Sequence, residues 1–334
     1  MDANYSKFNE FINKSSNILI IQADNPDGDS LGSSIALEQI LTELKKEVEM
    51  YCAVHIPDYL KYLKAWSRVK TELPTKFDLV IIVDTSTLNL LDNTKDFDLA
   101  LIKSKPVIVI DHHDTELSID FANLVINEDK SATGEIIYNI AKSLKYNINK
   151  EASEALATSI LSDTIGLMTE STTSDTFRVM ADLIDLKADL PKLDASRRES
   201  YQKSLELTKY KGQLLQRIET FLDDKLAIVV IPWEEIKTYS PLYNPSMLVL
   251  EDMKLIKNNQ ISIALKQYQD LRITAKIRCS INTPIAKELA ESFGGGGHKY
   301  ASGFRTYDYS DVNELKKDLV NKTNQLLNKS NENI

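Results

Sequence analysis

The chain has 334 residues, of which 43% are hydrophobic, with two cysteines and four histidines; this exceeds one ordinary core and calls for two domains. Cys52 and Cys279 are too few and too far apart for a disulfide framework or a thiolate metal site, no run of about 18 uncharged apolar residues could cross a membrane, and MDANYSKFNEF lacks the order of a signal peptide, so a soluble, cytoplasmic protein is expected. The formal net charge of −9 is uneven, with 25 basic and 37 acidic side chains in residues 1–224 (−12) and 15 and 12 in residues 225–334 (+3), which argues against nonspecific wrapping of long nucleic acid and suits a carboxylate-lined metal site in front of a mildly basic back.

Short apolar, β-branched runs alternate with helical patterns in the first half: NILIIQA at 17–23, a helix over 31–46, EVEMYC at 47–52, FDLVIIVD at 77–84, KPVIVID at 105–111 and ANLVINED at 122–129. This is the βαβ rhythm of a parallel, doubly wound sheet, whose strands are buried on both faces and therefore read as continuous apolar runs. Two helices are expected over 132–145 and 151–164, then one long charged helix over 194–220. From residue 226 the pattern restarts with LAIVVIPW. ISIALKQYQ and LRITAKIRC follow, alternating like strands of a half-exposed sheet. A helix at 284–293, a strand-like SGFRTY and a closing helix at 311–329 complete the chain. The expected fold is α/β. A doubly wound, mostly parallel N-terminal sheet domain (1–190, catalytic and metal-binding) is joined by a helical linker (191–224) to a smaller mixed α/β domain (225–334, substrate-binding), with the active site in the cleft between them.

In such sheets ligands bind beyond the carboxyl ends of the strands, and four segments put carboxylates or imidazoles there: Asp27 and Asp29 in DNPDGDSLGSS, Asp84 in VIIVDTS, His112 and His113 in VIDHHDT, and Asp163 in LSDTIG. Any one aspartate after a strand is ordinarily a helix cap or turn residue. Gathered at one edge, four carboxylates and an imidazole would repel one another unless cations neutralised them. Oxygen ligands with one or two imidazoles suit Mn2+, with Mg2+ or Co2+ as rivals. Two such ions would share one carboxylate, activate a water and hold the oxygens of a phosphoryl displacement. A second constellation, FGGGGHKYASGF, places Gly294, Gly295, Gly296 and Gly297 before His298. Four glycines have no role inside a regular element, so their N–H groups are expected to line an anion-binding concavity, with Arg278 as a guanidinium clamp for a terminal phosphate. Ser131, Thr133 and Gly134 read as a helix start. His55 and the tyrosines of YSPLYNPSM read as exposed or packing residues.

Taken together, PDGDSLGS, VDTS, DHHDT, SDT and GGGGHKYASG resemble the DHH phosphoesterase family, in the subgroup with a DHH-associated C-terminal domain. The resemblance covers most of the chain in the right order. It implies an enzyme similar to bifunctional oligoribonucleases and 3′-phosphoadenosine 5′-phosphate phosphatases and related to RecJ-type proteins. By that resemblance Asp27 and Asp84 would hold a first metal, and Asp29, Asp84, His112 and Asp163 a second. Asp84 would bridge the two, His113 would face the scissile phosphate, and Arg278 with Gly294–His298 would grip the substrate. One departure stands out: many relatives have a histidine four residues before the first aspartate of PDGD, and here that residue is Ala23, leaving Asp24 or Asn25 as replacement oxygen ligands.

The leading expectation is a two-metal phosphodiesterase that hydrolyses short single-stranded RNA (nano-RNA) or linear dinucleotides to mononucleotides, as a monomer or homodimer. The alternatives are a 3′-phosphoadenosine 5′-phosphate phosphatase using the same metals, and a nucleotide-binding protein with a degenerate first metal site.

Overall fold

A computed structural model describes residues 2–85, 87–91, 97–114 and 118–332; Ser86 and Thr115, which belong to two of the motifs above, lie outside the described residues. The chain divides into two compact units, Met1–Gln202 and Lys203–Ile334.

The first unit is built on β1 (Asn17–Gln22), β2 (Glu47–Tyr51), β3 (Val69–Lys70), β4 (Leu79–Val83), β5 (Val107–Asp111) and β6 (Leu124–Asn127). They form one sheet in the order β3-β2-β1-β4-β5-β6, and every pairing is parallel. Alternate residues of one strand enter different cores: Ile18 and Ile20 of β1 pack on one side of the sheet, and Leu19 and Ile21 on the other. Both faces are dry, which explains why these strands carry no polar alternation. The helices are α1 (Ala3–Lys14), α2 (Gly28–Glu43), α3 (Leu99–Lys103), α4 (Thr133–Leu144), α5 (Lys150–Asp163), α6 (Ser174–Asp185) and α7 (Leu190–Ser200). Strand order reverses between β1 and β4, the switch point at which open α/β sheets form their ligand crevice.

The close packing of α2, α4 and α5 depends on missing side chains. A Cβ on Gly134 would lie 2.1 Å from Ser159 Oγ, and one on Gly32 would lie 2.6 Å from the Ala155 carbonyl oxygen. Gly134 was expected only to begin a helix; its structural task is to let α4 sit against α5.

The expected long helix over 194–220 is instead two helices. The first is α7, which begins earlier, with Asp189 as its cap and Pro191 in its first turn. The second is α8 (Leu205–Gln216), after a break at Tyr201–Lys203. Ser204 accepts a hydrogen bond from the Leu207 N–H at 3.1 Å and so begins a new helix. The segment 194–220 has no proline and one glycine, but a serine cap interrupts a helix as effectively as either.

The second unit continues with β7 (Glu219–Phe221), β8 (Leu226–Ile231), α9 (Trp233–Tyr239), α10 (Pro245–Lys254), β9 (Ile261–Gln267) and β10 (Ile273–Cys279). It closes with α11 (Ala286–Glu291), β11 (Gly296–Gly297), β12 (Ala301–Thr306) and α12 (Val312–Glu332). The sheet order is β11-β12-β10-β9-β8-β7, antiparallel except for β8 with β9. One face, with Ile263, Leu265, Ile273, Ile277 and Phe304, packs on Leu289 of α11 and on Leu315 and Leu319 of α12. On the other, Val229, Ile231 and Ala264 pack on Leu214 of α8, Ile236 of α9 and Val249 and Met253 of α10. Strand β10 alternates buried and half-buried residues as expected. Strand β9 does not, being buried through Leu265, because helices cover it on both sides. No described helix is long and apolar enough to cross a membrane.

Candidate metal and phosphate site

The loop after β1 turns directly into α2. Asp27 is the cap, its Oδ1 accepting from the N–H groups of Asp29 and Ser30 at 3.0 Å each. Asp29 then lies in the first turn of α2, fully buried. Its Oδ1 accepts from Ser33 Oγ at 2.9 Å, Ser159 Oγ at 2.5 Å and the Gly134 N–H at 3.3 Å. Its Oδ2 accepts from the Thr133 N–H at 2.8 Å. No side chain caps α4 from its own sequence. Asp29 of α2 takes that part, satisfying two orphan N–H groups at the positive end of the α4 dipole.

Asp84 follows β4 with a left-handed backbone, φ 60°, a conformation aspartate adopts more readily than most residues. Its N–H donates to the Ile110 carbonyl at 2.9 Å, and its Oδ1 accepts from Thr133 Oγ1 at 3.2 Å. Burial, followed by the charges of Asp29, Asp27, Asp163 and Asp111, holds the Asp84 carboxyl well above the usual range.

His112 and His113 leave the end of β5. His112 Nδ1 lies 3.2 Å from the Lys130 carbonyl oxygen, which sets the ring so that Nε2 faces inward. There Nε2 is 3.2 Å from Asp163 Oδ2, 3.5 Å from Asp29 Oδ2 and 3.7 Å from Asp84 Oδ1. None of these contacts has hydrogen-bond geometry, so a buried ring nitrogen is left without a partner. Burial opposes charge on His112, but the adjacent Asp163 and Asp29 and the Lys130 carbonyl outweigh it, and the imidazole is pushed up to about 9. His113 is half exposed; its Nδ1 lies 2.8 Å from Asp111 Oδ1, a contact that raises its pKa despite burial. Asp111 Oδ1 also accepts from the His112 and His113 N–H groups, at 2.8 and 3.3 Å.

Two ligand clusters result among the described residues: Asp29, His112 and Asp163, and Asp84, His112 and His113. Ligand atoms bound at roughly 2.1 Å to one ion lie roughly 3–3.4 Å apart. The separations around the orphaned His112 Nε2 are close to that, so these residues fit a divalent cation. Asp27 and Asp24 join neither cluster; the Asp24 N–H donates to the Leu90 carbonyl, and Asn25 is exposed. The sequence did not disclose the supporting roles of four groups: Thr133 beneath Asp84, Ser33 and Ser159 beneath Asp29, and Asp111 behind His113. Ser33 and Ser159 stand four residues after Asp29 and four before Asp163, a helical spacing that puts each pair on one face.

In the second unit the glycine run departs from expectation. Gly294, φ 74°, turns the chain out of α11, and the N–H groups of Gly294 and Gly295 donate to the carbonyls of Glu291 and Ala290. Gly296 and Gly297 form β11, paired with Gly303 and Ser302, and the His298 N–H donates to the Ala301 carbonyl at 2.8 Å. The N–H groups of Gly294, Gly295 and His298 are therefore spent within the protein, and the expected anion concavity is not formed by them. The run ends a helix and starts an edge strand, leaving the His298 side chain exposed.

Arg278 belongs to a basic sheet face instead. Pairing aligns Lys266, Thr274 and Arg305 in one row, Ala264, Lys276 and Gly303 in the next, and Ser262, Arg278 and Ala301 in the third. Residues aligned this way point to the same side of the sheet. Among the described residues none of the four cations makes an ion pair within 4.0 Å. Burial, then the neighbouring Lys276, lowers the pKa of Lys266; burial, then Arg278, lowers that of Lys276.

Residues 17–162 match the DHH family, N-terminal domain. The chain is 23% identical over 307 residues to the bifunctional oligoribonuclease and PAP phosphatase NrnA of Bacillus subtilis, covering 90% of this chain and 93% of that one. Among solved structures, an exopolyphosphatase-related protein from Bacteroides fragilis shares the fold with a TM-score of 0.79 at 24% identity, over 98% of this chain and 96% of that one. RecJ in complex with Mn2+ from Thermus thermophilus aligns with a TM-score of 0.50 at 15% identity, over 90% of this chain and 51% of its own.

Proposed function

We propose that the chain, whose residues 17–162 match the N-terminal domain of the DHH family, is a metal-dependent phosphoesterase that hydrolyses short oligoribonucleotides or linear dinucleotides to mononucleotides. The observation that carries this reading is the buried His112 Nε2, unpartnered among Asp29, Asp84 and Asp163 at the sheet's switch point. Facing three carboxylates at 3.2–3.7 Å with a hydrogen bond to none of them, this nitrogen stands as a metal ligand stands among its co-ligands.

In this proposal Asp29, Asp84, His112 and Asp163 would hold the principal cation, and Asp27 with Asp84 would hold a second. Without a histidine at position 23 that second cation has fewer protein ligands and binds more weakly. Bound divalent cations, Mn2+ being the best match to this donor set, neutralise the carboxylates and supply an acidic water as nucleophile. The protein's own residues do the rest. Thr133 and the α4 N-terminus fix the carboxylates so that they need not reorganise. His113, oriented by Asp111 and open to solvent, donates to the phosphate as negative charge develops on its oxygens. Arg278 and His298 contribute donors to the substrate's phosphates. A second reading, removal of a phosphate from 3′-phosphoadenosine 5′-phosphate, is favoured by the bifunctional name of the Bacillus subtilis relative and uses the same groups.

Hydrolysis of a 5′-phosphorylated RNA dinucleotide with Mn2+ tests the proposal. Turnover by the parent chain that Asp84→Ala abolishes is the expected result. Dinucleotide binding without turnover, with turnover appearing in Ala23→His, would instead identify a binding protein short of one metal.

A further inference from the structure

A pocket of about 380 Å3 opens beside Asp27 within the first unit, walled by Tyr59, Tyr62, Ser162, Ile165 and Tyr201. We propose that it binds the nucleobase of a nucleotide whose phosphate occupies the neighbouring carboxylate and histidine cluster. The ligand's identity rests on the phosphoesterase reading above; the pocket's aromatic and apolar character does not.

Position is the first argument. Asp27 lies on the pocket wall, and Ser162 immediately precedes Asp163, so a nucleoside attached to a phosphate at the cluster has this cavity next to it. The volume falls within the range of small-molecule pockets, roughly 300–1,000 Å3, which are mostly apolar with a few polar groups.

The walls are the second argument. Tyr59 and Tyr201 stack at a centroid distance of 5.9 Å and an interplanar angle of 26°, yet remain 37% and 43% exposed. A half-exposed pair of rings is a stacking platform of the kind single-stranded nucleic-acid sites use. The Tyr59 hydroxyl donates to the Pro26 carbonyl at 3.4 Å, which ties that ring to the loop carrying Asp27.

Ile165 supplies the third. It is 77% exposed and has a left-handed backbone, φ 49°, as do Gly166 and Leu167 beside it. A β-branched residue in that region is an outlier, and an exposed apolar side chain gains nothing for the fold. Strain of this sort, two residues after a candidate metal ligand, has its counterpart in presenting an apolar wall to a ligand. At the rim the Asp194 and Arg197 pair, 2.7 Å apart, offers an acceptor and donors to a base edge.

The test is equilibrium binding to the full chain in the presence of Mn2+, comparing adenosine 5′-monophosphate with ribose 5-phosphate, which differ by the base. The parent is expected to bind the former about tenfold more tightly, the scale of one stacked base. Tyr201→Leu should erase most of that preference, and Ile165→Ser, at an exposed position that leaves the core untouched, should reduce it severalfold. Equal affinities in the parent, no binding of adenosine 5′-monophosphate, or a preference unchanged in Ile165→Ser would each overturn the assignment. If no dinucleotide is hydrolysed but the preference follows this pattern, the activity reading fails and the pocket stands; hydrolysis without base preference has the converse meaning.

Discussion

The two units crowd opposite charges and support them differently. In the first, Asp84 is pushed toward its neutral acid by burial and by Asp29, Asp27, Asp163 and Asp111. In the second, Lys276 is pushed toward its neutral amine by burial and Arg278. Under the proposed function each arrangement would be relieved by a guest of the opposite sign, a cation in one unit and an anion in the other. The carboxylates, however, sit in a packed interior where hydroxyls and helix N–H groups hold them in place, whereas the cations stand on a half-open sheet face. Changes in the first unit should therefore be felt strongly in both stability and activity, and changes in the second weakly and mainly through salt and pH.

Asp84→Asn should break the first half of this contrast most visibly. Hydrolysis should fall by roughly 10^3-fold, the scale of losing a group that stabilises transition-state charge. Yet in chelator the variant should melt higher than the parent, because a neutral amide removes a carboxyl that its neighbours already disfavour as an anion. A lower melting temperature in chelator would show that the carboxylates are not in conflict.

Gly134→Ala tests whether helix packing positions the cluster. Its Cβ would meet Ser159 Oγ at 2.1 Å and Ser159 Cβ at 2.7 Å, and such overpacking costs about 1–3 kcal/mol, readable in denaturant unfolding. Adding Ser159→Gly should recover part of the stability while losing a donor to Asp29. Thr133→Val is gentler: shape is kept, the 3.2 Å bond to Asp84 is lost, and activity or metal affinity should drop about 10- to 100-fold. Unchanged metal affinity and rate would exclude Thr133 as a positioning residue.

These supporting residues mark the limit of what the sequence disclosed. Five of the six parallel strands were legible because both sheet faces are dry, so their apolar runs are unbroken; β3, only Val69 and Lys70 long, offers no pattern. Helix α1 went unread although Tyr5, Phe8 and Ile12 are spaced to bury one stripe. The aspartates and histidines announced themselves by standing at strand ends. Thr133 and Ser159 did not, since a hydroxyl in a helix is usually neutral and becomes informative only when a carboxylate from another element is seen against it. The glycine run has a second task that the sequence did not disclose: a bare backbone suggests a ligand, while in the fold the N–H groups of Gly294, Gly295 and His298 serve the end of α11 and the hairpin.

Lys276→Gln sharpens the second half of the comparison with the smallest effect. Since the folded pKa of Lys276 is lowered, the unfolded chain holds more protons at pH values between that depressed value and the ordinary 10.5. Stability of the ligand-free parent should therefore rise with pH through that window, and the variant should lose that share of the rise. A bound phosphate reverses the preference by stabilising the ammonium, so affinity for a 5′-phosphorylated dinucleotide should weaken over the same window, more in the parent than in the variant. At neutral pH the substitution should weaken binding only about two- to fivefold, the scale of a partly exposed charge pair, and should flatten the dependence of affinity on salt. If the salt dependence is as steep in the variant as in the parent, the basic sheet face does not meet the substrate.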